Sequence, residues 1–325
     1  MSSTMLSVII PTYNRACYVL DCMTALQRSG VADLEIIVAD DGSTDDTREV
    51  VSRVDPRAKY HWQANTGTPS TARNAGFTLS TGKYVAFLDC DDGWLPDAPR
   101  KAVELLERYP EVDILFADAK MGNLTQGFVS WIEEAGQQAF FDLPHREPES
   151  GFRILERRPL LRRMAVRNPV FIGACILRRE VFEKSGGFLP RLRGAADWDL
   201  WLRLATRHTY GFMSEPMAIY TRHDDNMSSN MDHMSEEFCD ALANTLALDS
   251  LEKEDREHIR QRLLHHRFGY AYMAYDRGDT REARKRFRQA IHAGDWSPRT
   301  LALATTCMLP AWAVSRLRNI KRKVS

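Results

Sequence analysis

From residue 84 to 97 the chain reads Tyr-Val-Ala-Phe-Leu-Asp-Cys-Asp-Asp-Gly-Trp-Leu-Pro-Asp, a strand-forming apolar run that stops at three carboxylates within four positions. Asp89, Asp91 and Asp92 repel one another, and each raises its neighbours' proton affinity unless positive charge lies near. A hard divalent cation such as Mg2+ or Mn2+ relieves that repulsion. Such ions take carboxylate oxygens, and Mg2+ characteristically takes one or two, completing its shell with substrate phosphates. The competing account is a solvated acidic turn ahead of a helix starting near Pro96, since acids favour a first helical turn. A second acidic turn, Asp40-Asp41-Gly42-Ser43-Thr44-Asp45-Asp46, divides between two jobs. Ser43 or Thr44 is expected to cap a helix, with Asp45 and Asp46 in its first turn. Asp40 and Asp41 precede the glycine at a strand end, where a carboxylate can accept hydrogen bonds from a base or ribose.

A third acid opens the stretch Asp197-Trp198-Asp199-Leu200-Trp201-Leu202-Arg203-Leu204. Helical spacing puts Leu200, Trp201 and Leu204 on the side of Asp197, so the helix packs inward with its acid at the entrance. A carboxylate at a helix N-terminus is expected to stay ionised and able to accept a proton. A plain N-cap is the structural alternative. Asp199 is expected to pair with Arg203 on the surface, and Trp201 to pack in the core. His223, followed by Asp224 and Asp225, sits in a polar loop that either binds a ligand or is merely solvated.

The elements that must position these acids alternate. Strands are predicted over 6–10, 34–39, 59–62, 83–88 and 112–117, and helices over 16–29, 69–79 and 96–109. Such alternation means a mostly parallel sheet with helices on both faces, and ligands in such sheets bind beyond the carboxyl ends of the strands. Pro11-Thr12-Tyr13-Asn14, Asp40-Asp41-Gly42-Ser43 and Asp89-Cys90-Asp91-Asp92 then fall at one edge. Residues 120–168 lose the alternation and suggest an irregular insertion or lid on the acceptor side. Strands return near 171–177 and 213–220, a short helix is predicted at 179–184, and from about 235 the chain is all-helical. Phe268 to Tyr275, Gly278-Asp279 and Ala283 to Ile291 resemble one helical hairpin of tetratricopeptide type.

The ordered set Ser7-Val-Ile-Ile-Pro-Thr-Tyr-Asn-Arg15, Val38-Ala-Asp-Asp-Gly-Ser-Thr-Asp45, Asn65 with Ala72-Arg-Asn-Ala-Gly76, Phe87-Leu-Asp-Cys-Asp-Asp92 with Pro96, Gly187-Phe188 and Asp197 to Leu204 resembles the family 2 glycosyltransferases of the GT-A fold, over roughly residues 5–225. The resemblance implies a Rossmann-like, mixed, mostly parallel sheet flanked by helices, and metal-dependent, inverting transfer from a nucleotide-diphosphate sugar to an acceptor hydroxyl. In cell-surface polysaccharide or glycolipid synthesis that acceptor would be a carbohydrate or lipid-linked saccharide. It implies that Pro11, Thr12 and Tyr13 cup the base and that Asp41, with Asp40 beside it, reads the base edge. Arg73 would lie near the nucleotide, Asp89 face the ribose, and Asp91 bind Mn2+ or Mg2+ bridging the diphosphate. Asp197 would be the catalytic base, and His223 would close over diphosphate or metal. UDP is the commonest donor nucleotide in such enzymes. One departure stands out: the family usually has Glu before the base, and here the pair is Ala196-Asp197.

Composition bounds the rest. The 325 residues carry equal numbers of acids and bases, 44 each, and six scattered cysteines with no metal-ligand spacing. They read as reduced thiols of a cytoplasmic protein, with no nucleic-acid partner called for. Charge is uneven: from residue 251 on there are 17 Lys and Arg against 8 Asp and Glu, leaving the tail at +9 and the first 250 residues at −9. An apolar stretch, 301–314, precedes Arg316-Leu-Arg-Asn-Ile-Lys-Arg-Lys323, a pattern suited to peripheral contact with anionic lipid at the inner face of the cytoplasmic membrane. A docked terminal helix with a frayed basic end is the other account. The division expected is a catalytic domain over 1–230 and a helical extension with a basic amphipathic tail over 235–325. Two other functions share parts of the pattern. A nucleotidyltransferase would want a Gly-rich basic phosphate loop where Pro11–Arg15 stands. A non-catalytic nucleotide-sugar-binding or membrane scaffold would differ in failing to consume a donor.

Overall fold

The computed structural model describes residues 5–123, 127–134, 138–221, 231–310, 312–314, 316 and 318. Two compact units divide the chain, Met1–Glu237 and Phe238–Ser325.

In the first unit β1 (Leu6–Thr12), β2 (Leu34–Asp40), β3 (Lys59–Trp62) and β4 (Tyr84–Phe87) run parallel in the order β3-β2-β1-β4, linked by α1 (Ala16–Leu26), α2 (Thr47–Val54) and α3 (Pro69–Leu79). Every residue of β1 is buried, as its unbroken apolar run requires of a strand covered on both faces. Register pairs Thr12 with Asp40, Asp40 with Trp62 and Ile9 with Phe87. The polar loops after β1, β2 and β4 therefore share one edge. α3 lies close on β1 and β2 because residue 76 is glycine: a Cβ there would stand 2.5 Å from Ile9 Cγ2 and 3.3 Å from Ala39 Cβ. The cap of α2 differs from expectation. Its cap position is Asp46, and Ser43 and Thr44 instead bond to Asn14 in the loop after β1.

Beyond β4 come β5 (Gly93–Trp94), α4 (Ala98–Arg108), β6 (Ile114–Asn123), β7 (Gly127–Ser130), α5 (Trp131–Glu134), β8 (His145–Glu149), β9 (Phe152–Leu155) and α6 (Arg157–Met164). Then follow β10 (Cys175–Arg178), α7 (Arg179–Lys184), α8 (Ala196–Ala205) and β11 (Tyr210–Thr221). The whole sheet is mixed, ordered β3-β2-β1-β4-β10-β6-β11-β9-β8, with β5 on β11 and β7 on β6. The stretch 120–168, expected to be irregular, carries three strands and two helices among its described residues. Its patterns are short because prolines interrupt them. Pro148 sits where the register of edge strand β8 shifts against β9, the place a sheet tolerates proline.

α9 (Met231–Leu246) leads into the second unit, which holds α10 (Lys253–Arg277), α11 (Thr280–His292) and α12 (Pro298–Thr306). α10 ends at Gly278 in the left-handed region (φ 90°), and Asp279 caps α11 by accepting from the Glu282 amide at 3.0 Å. This is the hairpin expected from the sequence. Ala271, Ala274, Tyr275, Ala283, Phe287, Cys307 and Val314 form its core. Among the described residues no helix is long and apolar enough to cross a membrane. All six cysteines are free thiols.

Candidate active site

The loops after β1 and β2 interlock. Asn14, in the left-handed region at φ 50°, donates its amide to Ser43 Oγ (2.8 Å), while its Oδ1 accepts from the Thr44 amide (2.8 Å). The Ala16 amide donates to Asp45 at 3.1 Å. Pro11 and Thr12 are buried in this floor, and Tyr13 is exposed above it. Asp40 is buried with both oxygens engaged: Oδ1 accepts from the Ser43 amide at 2.7 Å and Oδ2 from the Tyr60 hydroxyl. Its role in these contacts is to shape the turn. Asp41 is clasped by the segment after β3. It accepts from Gln63 Nε2 (2.6 Å), the Thr66 amide and hydroxyl (3.1 and 2.9 Å) and the Gly67 amide (3.2 Å).

At the end of β4 each outward carboxylate has met an arginine. Asp89 accepts from Arg73 Nη2 at 2.5 Å, and Asp91 from Arg15 Nη1 at 2.6 Å. Asp92 points inward, buried, accepting from the Thr221 amide at 3.3 Å. Burial, reinforced by the fields of Asp89 and Asp91, lifts its carboxyl well above the usual range. The same causes, burial first, push the Cys90 thiol up to about 12, so it is no nucleophile. Arg73 itself is buried, stacks over Phe188 (5.4 Å), and has no hydrogen-bond partner for Nε among the described residues. The donor set suits a divalent cation, since Asp89 and Asp91 offer hard oxygens two residues apart, each paired here with an arginine that a cation would displace or sit beside. Among the described residues no cluster of three or more His, Cys, Asp or Glu could hold a metal, so an ion here would draw one or two carboxylates and take its remaining ligands elsewhere. His223 lies outside the described residues.

Asp197 faces this group from α8. Burial raises its carboxyl to about 6; the Trp198 amide and Arg73 oppose the rise, and Asp89 adds to it. The dipole of α8 does not hold it at an ordinary aspartate value, because desolvation outweighs it, yet at neutral pH it remains mostly ionised, as the sequence led one to expect. Asn168 Nδ2 donates to Asp197 Oδ2 at 3.2 Å, with its own Oδ1 fixed by the Val170 amide. The expected Asp199–Arg203 pair forms at 2.7 Å, but as a buried bridge, not a surface one. Arg203 also donates to the carbonyls of Ser185 (2.6 Å) and Gly187 (2.7 Å), tying the glycine turn to α8. Asn74 holds the other side of that turn. Its Nδ2 donates to the Phe188 carbonyl (2.8 Å), and its Oδ1 accepts from the Phe188 amide (3.0 Å). Trp94, Trp198 and Trp201 are all buried, and the first two spend their indole N–H on the carbonyls of Gly173 and Met164.

The structure thus gathers Arg73, Asp89 and Asp197 into one electrostatic neighbourhood, with Asp91 beside Asp89 and with Asp41 and the 11–13 floor along the same sheet edge. Sequence reasoning missed Arg15, Gln63, Thr66, Asn74, Asn168 and Phe188 as parts of it. Arg15, Asn74 and Phe188 stood inside recognised blocks and were legible there. The others are polar residues in loops, whose partners lie far along the chain.

The class this arrangement defines is a GT-A fold with a carboxylate pair and a facing acid at the strand ends. Residues 7–186 match the glycosyl transferase family 2, to which this chain belongs. It is 38% identical over 128 residues to a Campylobacter jejuni GalNAc(5)-diNAcBac-PP-undecaprenol beta-1,3-glucosyltransferase, covering 38% of this chain and 41% of the relative. A 39% match to an uncharacterized glycosyltransferase of Nostoc sp. covers 34% of this chain and 35% of that one. The matched region spans about a third of the length of the first curated relatives. The fold superimposes on the crystal structure of S. aureus TarS in complex with UDP-GlcNAc with a TM-score of 0.62 at 19% identity, covering 98% of this chain and 88% of that one. For the mannosyltransferase PcManGT from Pyrobaculum calidifontis, in complex with GDP-Man and Mn2+, the TM-score is 0.57 at 16% identity, over 100% and 87% of the two chains.

Proposed function

We propose that this chain transfers a glycosyl group from a nucleotide-diphosphate sugar, preferably a UDP-sugar, to a hydroxyl of a carbohydrate or lipid-linked saccharide, with inversion at the anomeric carbon. The observation that carries this reading is Asp197, a carboxylate titrating near neutrality within the fields of Arg73 and Asp89. The base lies over Pro11, Thr12 and Tyr13 with its edge at Asp41, where one donor from the 63–67 segment yields its place. Asp40 keeps that turn in shape. Asp89 faces the ribose. Asp91, now paired with Arg15, and His223 are the residues that would hold Mn2+ or Mg2+. When bound, that ion supplies Lewis-acid stabilisation of charge on the departing diphosphate. Arg73, with its spare buried N–H, adds positive charge beside the diphosphate. Asp197, oriented by Asn168, takes the proton of the acceptor hydroxyl as its oxygen attacks the anomeric carbon opposite the leaving group.

The UDP-GlcNAc bound by TarS and the GDP-Man bound by PcManGT support the nucleotide-sugar class, and the Mn2+ of PcManGT supports the cation. The C. jejuni relative supports a lipid-linked acceptor. In this reading residues 1–230 are the catalytic domain, with 120–168 on the acceptor side. Residues 235–325 are a helical extension that brings the enzyme to the inner face of the cytoplasmic membrane through 301–325.

Thermal-shift measurements with UDP-, GDP- and dTDP-sugars, with and without Mn2+, test the donor class, because ligand bound only by the folded state raises the melting temperature. Asp197→Asn should keep that shift and lose transfer by about a hundred- to ten-thousandfold. In the unaltered enzyme kcat should fall as pH is lowered through about 6, where Asp197 takes up its proton. Undiminished transfer by the Asn variant would remove Asp197 from the role of base.

A further inference from the structure

Asp197 follows a turn whose backbone is held from another helix. The amides of Arg193, Gly194 and Ala195 all donate to one oxygen of Glu237 on α9, at 3.0, 2.7 and 3.0 Å. Consecutive N–H groups converging on one point form an anion seat. This seat lies at the N-terminal end of α8, where the helix dipole adds to the attraction. α8 has no side-chain cap of its own, since Ala195 occupies the cap position and Ala196 the next. Glu237 supplies the missing acceptor. Glycine at 194 admits the approach: a Cβ there would stand 3.0 Å from Met234 Cγ on α9. The preceding residue ties the turn to the nucleotide side, for the Leu192 carbonyl accepts from Ser70 Oγ at 2.9 Å. Arg193 Nη2 lies 3.5 Å from where a Cβ of Gly67 would be, in the segment that clasps Asp41.

We infer that Glu237 is a positioning residue for the catalytic base. Its carboxylate fixes residues 193–195 through three charge-assisted hydrogen bonds, and that fixed turn sets where the first turn of α8 presents Asp197. Glu237 acts through the backbone alone. This deepens the glycosyl-transfer reading and rests on it.

The test is the initial rate of donor consumption by the full chain in Mn2+, using whichever of UDP-glucose, UDP-N-acetylglucosamine and GDP-mannose the unaltered enzyme consumes fastest. Glu237→Ala should lower kcat roughly ten- to a hundredfold, the cost of a base displaced by about an ångström, with donor KM changed less than about twofold. Glu237→Gln keeps an oxygen that accepts the same three amides and should retain a third or more of kcat, a rescue on the order of tenfold over alanine. If the alanine variant does not fold, Glu237→Asp, too short to reach all three amides, should show the same fall in kcat at unchanged KM. Unaltered kcat in the alanine or aspartate variant overturns the inference. So does a loss in which kcat and melting temperature fall together while KM rises and glutamine rescues nothing, the signature of a merely structural contact. Asp197→Asn run alongside separates the two claims. An inactive Asn variant beside an unaffected Glu237 variant removes the clamp alone, whereas an active Asn variant removes the base.

Discussion

Burial lifts the Asp197 carboxyl to about 6 while the Trp198 amide and Arg73 pull it down. An unfolded aspartate titrates near 3.9, so the native state holds this proton more tightly than the unfolded chain does. The stability that protonation contributes is full below about pH 4 and is lost as pH rises through about 6. At working pH the fold carries an ionised acid in a place that disfavours it, a cost of up to about 2–3 kcal/mol by linkage. Asp197→Asn should therefore be more stable than the unaltered protein by about 2–3 kcal/mol at pH 7.5 and by only about 1 kcal/mol at pH 4.5. Urea unfolding at the two values measures the difference. An Asn variant less stable at pH 7.5 would show that the carboxylate is held by compensating contacts instead of strained. The proposed role would account for the strain: a base must be ionised yet readily protonated in mid-reaction, and partial desolvation tunes it toward the working pH.

At the scale of elements, α8 positions Asp197 only while its other contacts hold. Asp199 and Arg203 are four residues apart on that helix, the aspartate fully buried, and the guanidinium spans from it to the carbonyls of Ser185 and Gly187. Arg203→Leu keeps much of the volume but strips Asp199 of its counter-charge and frees the turn carrying Phe188, the ring beneath Arg73. Removing one partner of a buried pair costs about 3–5 kcal/mol. Chemical denaturation should show a loss of that size, with weaker nucleotide binding by calorimetry, and a loss below about 1 kcal/mol would mean the bridge is solvated. The i, i+4 spacing made the pair legible in sequence, but its burial depended on how α8 packs, which spacing does not encode. The same limit applies across the sheet. β1, β2 and β4 could be read because each is an apolar run that stops at a polar loop, a local pattern, and β3 and β11 were legible more weakly. β5 has two residues and β8 is a polar edge strand broken at Pro148, so their identity as strands depends on partners remote in sequence. The site divides likewise. Asp41, Asp89, Asp91 and Asp197 announce themselves by type and position, whereas Arg15 meets Asp91 across 76 residues and Asn168 meets Asp197 across 29.

The whole molecule separates its charge, with −9 over residues 1–250 and +9 beyond. Among the described residues of the second unit, apolar side chains are left uncovered. Cys307 and Val314 turn into the core of the unit, while Met308, Leu309 and Trp312 remain exposed, Trp312 at 72%, and Trp296 is exposed at 67%. Tryptophan with basic residues is the pairing that settles at a lipid interface, the ring entering the headgroup layer and the cations meeting anionic lipid. The two contributions respond to different variables. The cationic one is screened by salt over about 10 Å at 0.1 M, while burial of a large apolar side chain is worth about 1.5–3 kcal/mol and is indifferent to salt. The full chain should therefore co-sediment with vesicles containing phosphatidylglycerol at low salt and less so as salt rises, and only weakly with pure phosphatidylcholine, at a level that salt leaves unchanged. Replacing Trp296 and Trp312 together by Ser should weaken binding by roughly tenfold or more at every salt concentration. Equal sedimentation with charged and neutral vesicles would remove the basic tail from the contact. An unaffected double variant would show that the uncovered tryptophans face something other than lipid.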